Sequence, residues 1–324
     1  MKRINVILLA FLVPILFSCK HQNKQKDDAS NLIAETVNNA EPFFKISLAQ
    51  WSLNKPIFAG DLDPMDFAEK AKEMGFDGIE YVSGFYSARI KNSENPEIAF
   101  QQTLDTLKAK SEEFGVENVL IMIDGEGDLA SSNKDKRESA VDNHKKWVDA
   151  AQYLGAHSIR VNLFGSREPD EWKKSAIKGL QALSKYAAEK GVNILVENHG
   201  HLSSNAELLV AVIEAVNMDN CGTLPDFGNF CIKRSEGNCA EEYPKYQGIK
   251  EMMPYAKAVS AKSYDFNEKG EETTLDYKRI MKIVKDAGYN GYVGVEYEGS
   301  RLSPEEGIIA TKNILQKVGK ELNQ

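Results

Sequence analysis

Histidine is rare in this sequence, five residues in 324, and cysteine is rarer, four. So little imidazole and thiolate argues against a histidine-rich, multi-metal mouth and gives no disulfide framework. A basic surplus is missing as well: 40 Lys and Arg stand against 48 Asp and Glu, a formal charge of -8. Without a basic stripe a nucleic-acid backbone is a poor main partner, and small neutral ligands fit better. No Gly-x-Gly-x-x-Gly turn follows the first strand-like run, where Gln50-Trp51-Ser52-Leu53 stands instead. That absence counts against a dinucleotide-binding open sheet.

Lys2 and Arg3 precede a mostly apolar run from Ile4 to Phe17, too short for a comfortable transmembrane helix. It ends at Leu16-Phe17-Ser18-Cys19, which resembles a bacterial lipobox. The expected organisation is a lipoprotein signal peptide over 1–18, a lipidated Cys19 opening a polar, aperiodic tether over 19–41, and one large α/β domain over 42–324. Ordinary secretion is the alternative. Removing the leader takes away two cations and no acid, so the charge moves from -8 to -10. Of the remaining cysteines, Cys231 and Cys239 could bridge a loop in an oxidising compartment or stay free thiols.

Short β-prone runs alternate with amphipathic ones along the domain. The runs are 44–50, 78–82, 118–124, 158–163, 193–198, 222–226, 258–262 and 292–297, and several helix patterns close on glycine at 75, 155, 191 or 288. Eight strand-helix units predict a (β/α)8 barrel, with a doubly wound open sheet as the alternative. In a barrel the strand ends form the site. They carry Gln50 and Trp51, Glu80, Asp124 and Glu126, Arg160 and Asn162, Glu197 with His199, Asp226 with Asn229, Lys262, and Glu296 with Glu298.

Each has a plain structural alternative. Glu80 could pair with Arg160, Asp124 and Glu126 read as a solvated loop in Asp-Gly-Glu-Gly-Asp, and Trp51 could pack as readily as stack on a sugar. His144 and His157 read as surface or helix-end residues, and His201 as structural. Glu197, Asp226 and Glu296 are harder to dismiss. Three carboxylates in one low-dielectric mouth raise each other's pKa unless a cation sits between them, and oxygen ligation suits Mn²⁺ or Mg²⁺. A proton-sharing acid cluster is the alternative.

The runs Ile-Leu-Val-Glu-Asn-His-Gly from Ile194, Leu-Pro-Asp-Phe-Gly-Asn-Phe from Leu224, Ala-Val-Ser-Ala-Lys from Ala258 and Gly-Tyr-Val-Gly-Val-Glu-Tyr-Glu-Gly from Gly291 resemble the xylose isomerase-like superfamily of sugar isomerases and epimerases. The resemblance implies a metal-dependent TIM barrel with Glu197, Asp226, Ser260 and Glu296 at the four ligand positions. Ser260 stands where the family has His, and Asn229 where it has a second His, so weaker metal binding is implied. It further implies catalysis by Glu197 and Glu296, with Lys262 and His199 polarising or orienting sugar oxygens. Trp51, Glu80, Arg160, Asn162 and Asn229 are the expected substrate-binding residues. The expected activity is isomerisation or epimerisation of an unphosphorylated sugar or keto-sugar by proton abstraction α to a carbonyl. The alternatives are a keto-sugar or keto-glycoside lyase or hydratase, and a non-catalytic sugar-binding lipoprotein. The expected partners are a small carbohydrate and, through Cys19, a bacterial membrane, with the protein periplasmic or at the cell surface.

Overall fold

The computed structural model describes residues 41–323, so the expected signal peptide, Cys19 and the tether up to residue 40 lie outside the described residues. Six parallel strands come first: β1 (Lys45–Ala49), β2 (Gly78–Val82), β3 (Glu117–Met122), β4 (Ser158–Val161), β5 (Asn193–Glu197) and β6 (Cys221–Leu224). An antiparallel hairpin, β7 (Cys231–Ser235) and β8 (Asn238–Glu242), interrupts the series before β9 (Val259–Ser263) and β10 (Tyr292–Tyr297) complete it. Because β1 pairs in parallel with both β2 and β10, the sheet curls on itself. The seam between β6 and β9 is drawn together by the parallel bridges Thr223–Ala256 and Asp226–Ser260. The ring is therefore a nearly closed eight-stranded barrel, and the open-sheet alternative falls with the β1–β10 pairing.

The helices are α1 (Asn54–Ala59), α2 (Phe67–Glu73), α3 (Ser87–Lys91), α4 (Pro96–Phe114), α5 (Lys134–Leu154), α6 (Pro169–Ala188), α7 (Ala206–Val216), α8 (Lys245–Met252), α9 (Tyr277–Asp286) and α10 (Pro304–Leu322). Their ends follow local chemistry. Asn95 and Asn133 accept from backbone N–H groups at the starts of α4 and α5, and Ser303 with Glu306 makes a reciprocal capping box on α10. The hairpin had no counterpart among the expected strands. Its turn residues, Glu236 and Gly237, both have positive φ, the pairing that a two-residue turn uses to match strand twist.

Strand alternation divides the core into two layers. On β10, Val293, Val295 and Tyr297 join the large shell between barrel and helices, while Tyr292 joins a smaller cluster inside the barrel with Leu120, Met122, Leu195 and Leu224. Gly294 and Glu296 continue the inward set. A Cβ on Gly294 would collide with the carboxylate of Glu80, so the glycine is what leaves Glu80 room inside the barrel. Glu80 is 1% exposed and accepts from Ser47 Oγ at 2.6 Å. Burial pushes its pKa up to about 8 against the opposing Ser47 hydrogen bond.

A carboxyl that keeps its proton when folded but ionises when unfolded contributes stability fully present below its unfolded pKa and lost as pH rises through its folded one. Glu80 should therefore make wild-type stability fall between about pH 4.5 and about 8. Glu80→Gln should flatten that fall in denaturant melts taken across the window. An unchanged slope would mean that Glu80 is ionised in the folded protein.

Candidate active site

Glu197 ends β5, Asp226 follows β6 by two residues, and Glu296 lies near the end of β10, so three elements aim carboxylates at one end of the barrel. All three are buried, and one oxygen from each lies within 4.8 Å of the others. Glu197 Oε2 sits 2.9 Å from Arg160 Nε, an ion pair in which that buried nitrogen is not aligned as a hydrogen-bond donor. Glu197 Oε1 accepts from Asn229 Nδ2 at 3.0 Å. Asp226 Oδ1 accepts from the backbone N–H groups of Gly228 and Asn229, both at 2.8 Å. Lys262 Nζ lies 3.0 Å from Glu296 Oε1, 3.3 Å from Glu298 Oε1 and 3.7 Å from Asp226 Oδ2.

Ser260 occupies the position between the last two carboxylates. Its Oγ is 2.9 Å from Asp226 Oδ2 and 2.7 Å from Glu296 Oε2. A hydroxyl has one proton to donate. Both contacts can be hydrogen bonds only if a further proton sits on one of the two acids, and the electrostatics favour Asp226 as its holder. Burial pushes Asp226 up to about 7 despite the pull of Lys262, with the charges of Glu197 and Glu296 adding to the rise. Burial acts the same way on Glu296, but the Lys262 charge and the hydrogen bonds from Ser260 and Lys262 outweigh it and hold this acid below the usual range. Glu197 is pushed up to about 7 by burial, against the Arg160 charge. His199 is shifted down, first by burial and then by Arg160 and Lys262, which favours the neutral ring.

The mouth above these groups has two lobes. One, of about 370 Å³, is lined by Trp51, Asp124, Arg160, Asn162, Phe164, His199 and Glu296 among others. The other, of about 350 Å³, is lined by His201, Asn229, Arg234, Lys262, Tyr264 and Glu298 and shares Phe164 and His199 with the first. A larger groove of about 620 Å³ lies between the β9–α9 loop and α10, and among the described residues the converging carboxylates lie elsewhere, so size does not pick out the site here.

Trp51 both packs and faces the mouth. It stacks on Phe85 at 5.8 Å with the rings 4° apart, and its Nε1 donates to Glu298 Oε1 at 2.5 Å. Glu80 sits apart from the other expected substrate contacts. It bonds Ser47 inside the barrel and lines neither lobe, and the anticipated Glu80–Arg160 ion pair is absent among the described residues. Arg160 turns to Glu197 and to Asp124, 3.2 Å away. The solvated-loop reading of Asp124 and Glu126 holds in part: both lie in the loop after β3 and the Asp124 side chain is 38% exposed, but both are engaged. Asp124 accepts from Arg160 and from Asn162 Nδ2 at 3.1 Å, and Glu126 accepts from Trp147 Nε1 at 2.8 Å and pairs with Lys146. His144 is likewise buried, 3% exposed, and lines the first lobe instead of a surface. His157 is half-buried at the start of β4. His201, read as structural, borders the second lobe with its ring against Arg167. Cys231 and Cys239 form a disulfide, and Cys221 is a buried free thiol. Phe164 and Tyr264 were missed, although each lies two residues beyond a recognised strand-end residue, Asn162 and Lys262.

The three converging carboxylates are hard oxygen donors with no sulfur among them, a set that fits a divalent cation of the Mn²⁺ or Mg²⁺ kind. Glu197, Asp226 and Glu296 would hold it. Ser260 and Lys262 already meet two of these acids, so a cation would have to be accommodated against those contacts.

Residues 68–318 match the family described as xylose isomerase-like TIM barrel. Over a short stretch of 49 residues the chain is 41% identical to the C-glycoside deglycosidase alpha subunit of Arthrobacter globiformis, which covers 15% of this chain and 14% of that relative. The fold is similar to that of an E. coli 3-keto-D-glucoside 4-epimerase, with a TM-score of 0.60 at 17% identity over 78% of this chain and 94% of that one. It is also similar to the IOLI protein with a bound zinc atom, with a TM-score of 0.65 at 17% identity over 86% of this chain and 99% of that one. The chain belongs to the xylose isomerase-like TIM barrel family.

Proposed function

We propose that this protein is a metal-dependent isomerase or epimerase that moves a proton α to the carbonyl of an unphosphorylated sugar or keto-sugar. The observation that carries the reading is the pair Glu197 and Glu296, two buried carboxylates of opposite pKa displacement whose oxygens approach within 4.8 Å beneath a lobed mouth. Glu296, held ionised, is able to take a proton from carbon. Glu197, near 7, can lose or return one at neutral pH. Neutral His199 can donate to a sugar oxygen, and Lys262 supplies a fixed positive charge beside Glu296. Trp51, Asn162, Asn229 and Arg160 offer a stacking face and hydrogen-bond donors for ring hydroxyls. Held by Glu197, Asp226 and Glu296, a divalent cation supplies positive charge that lowers the cost of negative charge on substrate oxygens.

A second reading, a lyase or hydratase acting on keto-glycosides, is favoured by the lobe beside Lys262 and Glu298, which leaves room for a departing group. The names of the deglycosidase relative and the keto-glucoside epimerase neighbour support sugar chemistry of either kind. We further propose that the protein is exported and anchored through lipidated Cys19, periplasmic or at the cell surface, where unphosphorylated sugars are the available substrates.

Incubation of the Mn²⁺-supplemented protein with a keto-sugar panel in D₂O should place deuterium on carbon. Glu197→Gln and Glu296→Gln should each lower turnover by about 10² or more, the scale of a positioned base. Wild-type protein that binds sugars without exchange across the whole panel would turn the reading to a binding protein. Metal ligation is tested separately: Ser260→His should tighten Mn²⁺ in a titration, and equal affinity in both forms would remove residue 260 from the metal shell. Intact mass of protein from the membrane fraction should begin at Cys19 with acyl mass added, and an unacylated start elsewhere would refute the anchor.

A further inference from the structure

The two lobes differ in charge. The first is lined by Asp124, Glu126 and Glu296 against Arg160. In the second, Glu298 is already engaged by Lys262 at 3.3 Å and by Trp51 at 2.5 Å. Arg234, on the hairpin that walls this lobe, has no hydrogen-bond or ion-pair partner among the described residues. Arg167 meets the ring of His201, which lines the same lobe, and no carboxylate among the described residues. Both guanidinium groups are exposed to solvent, and Arg234 lines the cavity, so Arg234 is the cation free to meet a ligand there.

The frame that carries Arg234 is rigidly built. Arg234 lies opposite Cys239 in the hairpin register, and Cys239 is bonded to Cys231, itself a wall of the lobe. The base of the hairpin is tied down where Ser204 Oγ donates to Asn229 O at 2.7 Å, in the turn that begins with His201. His201 adopts a left-handed φ of 56°, uncommon for a residue with a side chain, and lines the lobe. A cross-linked hairpin has less backbone freedom to lose when a side chain on it meets an anion, and a guanidinium forks onto a carboxylate through two parallel bonds.

We propose that the second lobe is a subsite for the unit attached to the reacting sugar, and that Arg234, on the wall it shares with His201, selects units bearing a carboxylate. This rests on the sugar reading above and specifies its substrate class: a glycoside of an acidic partner, either an aromatic acid or a sugar acid.

Three probes separate the possibilities: phenyl keto-glucoside, its para-carboxyphenyl counterpart, and a keto-glucosyl glucuronate. Calorimetric binding to the full chain with Mn²⁺ present should favour one or both carboxylated probes over the phenyl probe by about tenfold or more, the scale of one charge-assisted contact. Which of them is favoured identifies the aromatic or the sugar source. Arg234→Gln should erase most of that preference, Arg234→Lys should keep part of it, and added NaCl should shrink it in the wild type, which needs no variant to fold. Equal binding of all three probes, no binding of any, or a preference untouched by Arg234→Gln would overturn the proposal. Proton exchange in D₂O is read independently. Exchange without a carboxylate preference sinks only this inference, and a preference without exchange sinks only the catalytic reading.

Discussion

Burying several carboxylates at one end of a parallel barrel is the constraint around which the rest of this molecule is arranged. Desolvation alone raises each of them, so each needs a compensating charge, a hydrogen-bond donor or a proton. The four answers differ. Glu80 is pushed up to about 8 by burial and leans on Ser47, Glu197 faces Arg160, Glu296 is held by Lys262, and Asp226 takes two backbone N–H groups. Of the three acids at the mouth, Glu197 and Asp226 are therefore displaced upward and Glu296 downward, and such an inequality is what acid-base chemistry at a single carbon draws on.

The same constraint shapes the elements outside the barrel. Arg160 can serve Glu197 only if its own second partner is fixed, and Asp124 in the loop after β3 supplies that partner while Asn162 holds Asp124. Lys262 is 1% exposed and is oriented by Glu296, Glu298 and Asp226. Glu298 is in turn fixed by Trp51, which leans on Phe85. The polar network thus runs outward from the acids into the aromatic rim, so the shape of the mouth and the charge state of its floor are parts of one arrangement.

Much of this was legible in the sequence. Eight alternating units gave the barrel, and polar residues at strand ends gave the floor, because period-two alternation and the one-sided barrel mouth leave few other places for them. Three things resisted. The Cys231–Glu242 hairpin is short and mostly exposed, so it lacks the apolar alternation that marks a strand. Asp124 and Glu126 sit in a glycine-rich stretch whose composition signals a solvated turn, and only their distant partners, Arg160 and Trp147, show otherwise. Glu80, read as a strand-end residue, is the middle residue of β2, whereas Glu197 is the last of β5, and Ser47 on β1 with Gly294 on β10 gives it space below the mouth.

Ser260 brings these threads together. An imidazole at that position would present a neutral nitrogen to a cation. A serine presents one proton to two carboxylates, 2.9 and 2.7 Å away, and so leaves the Asp226–Glu296 pair one positive charge short of full satisfaction. A proton on Asp226 closes that deficit, and so does a cation among the three acids. Because the two solutions draw on the same oxygens, a cation held there would displace protons, and its binding would strengthen as pH rises through the range to which burial pushes Asp226 and Glu197, about 7 for each. Through its single proton Ser260 would thus tie the occupancy of a cation among these acids to their protonation.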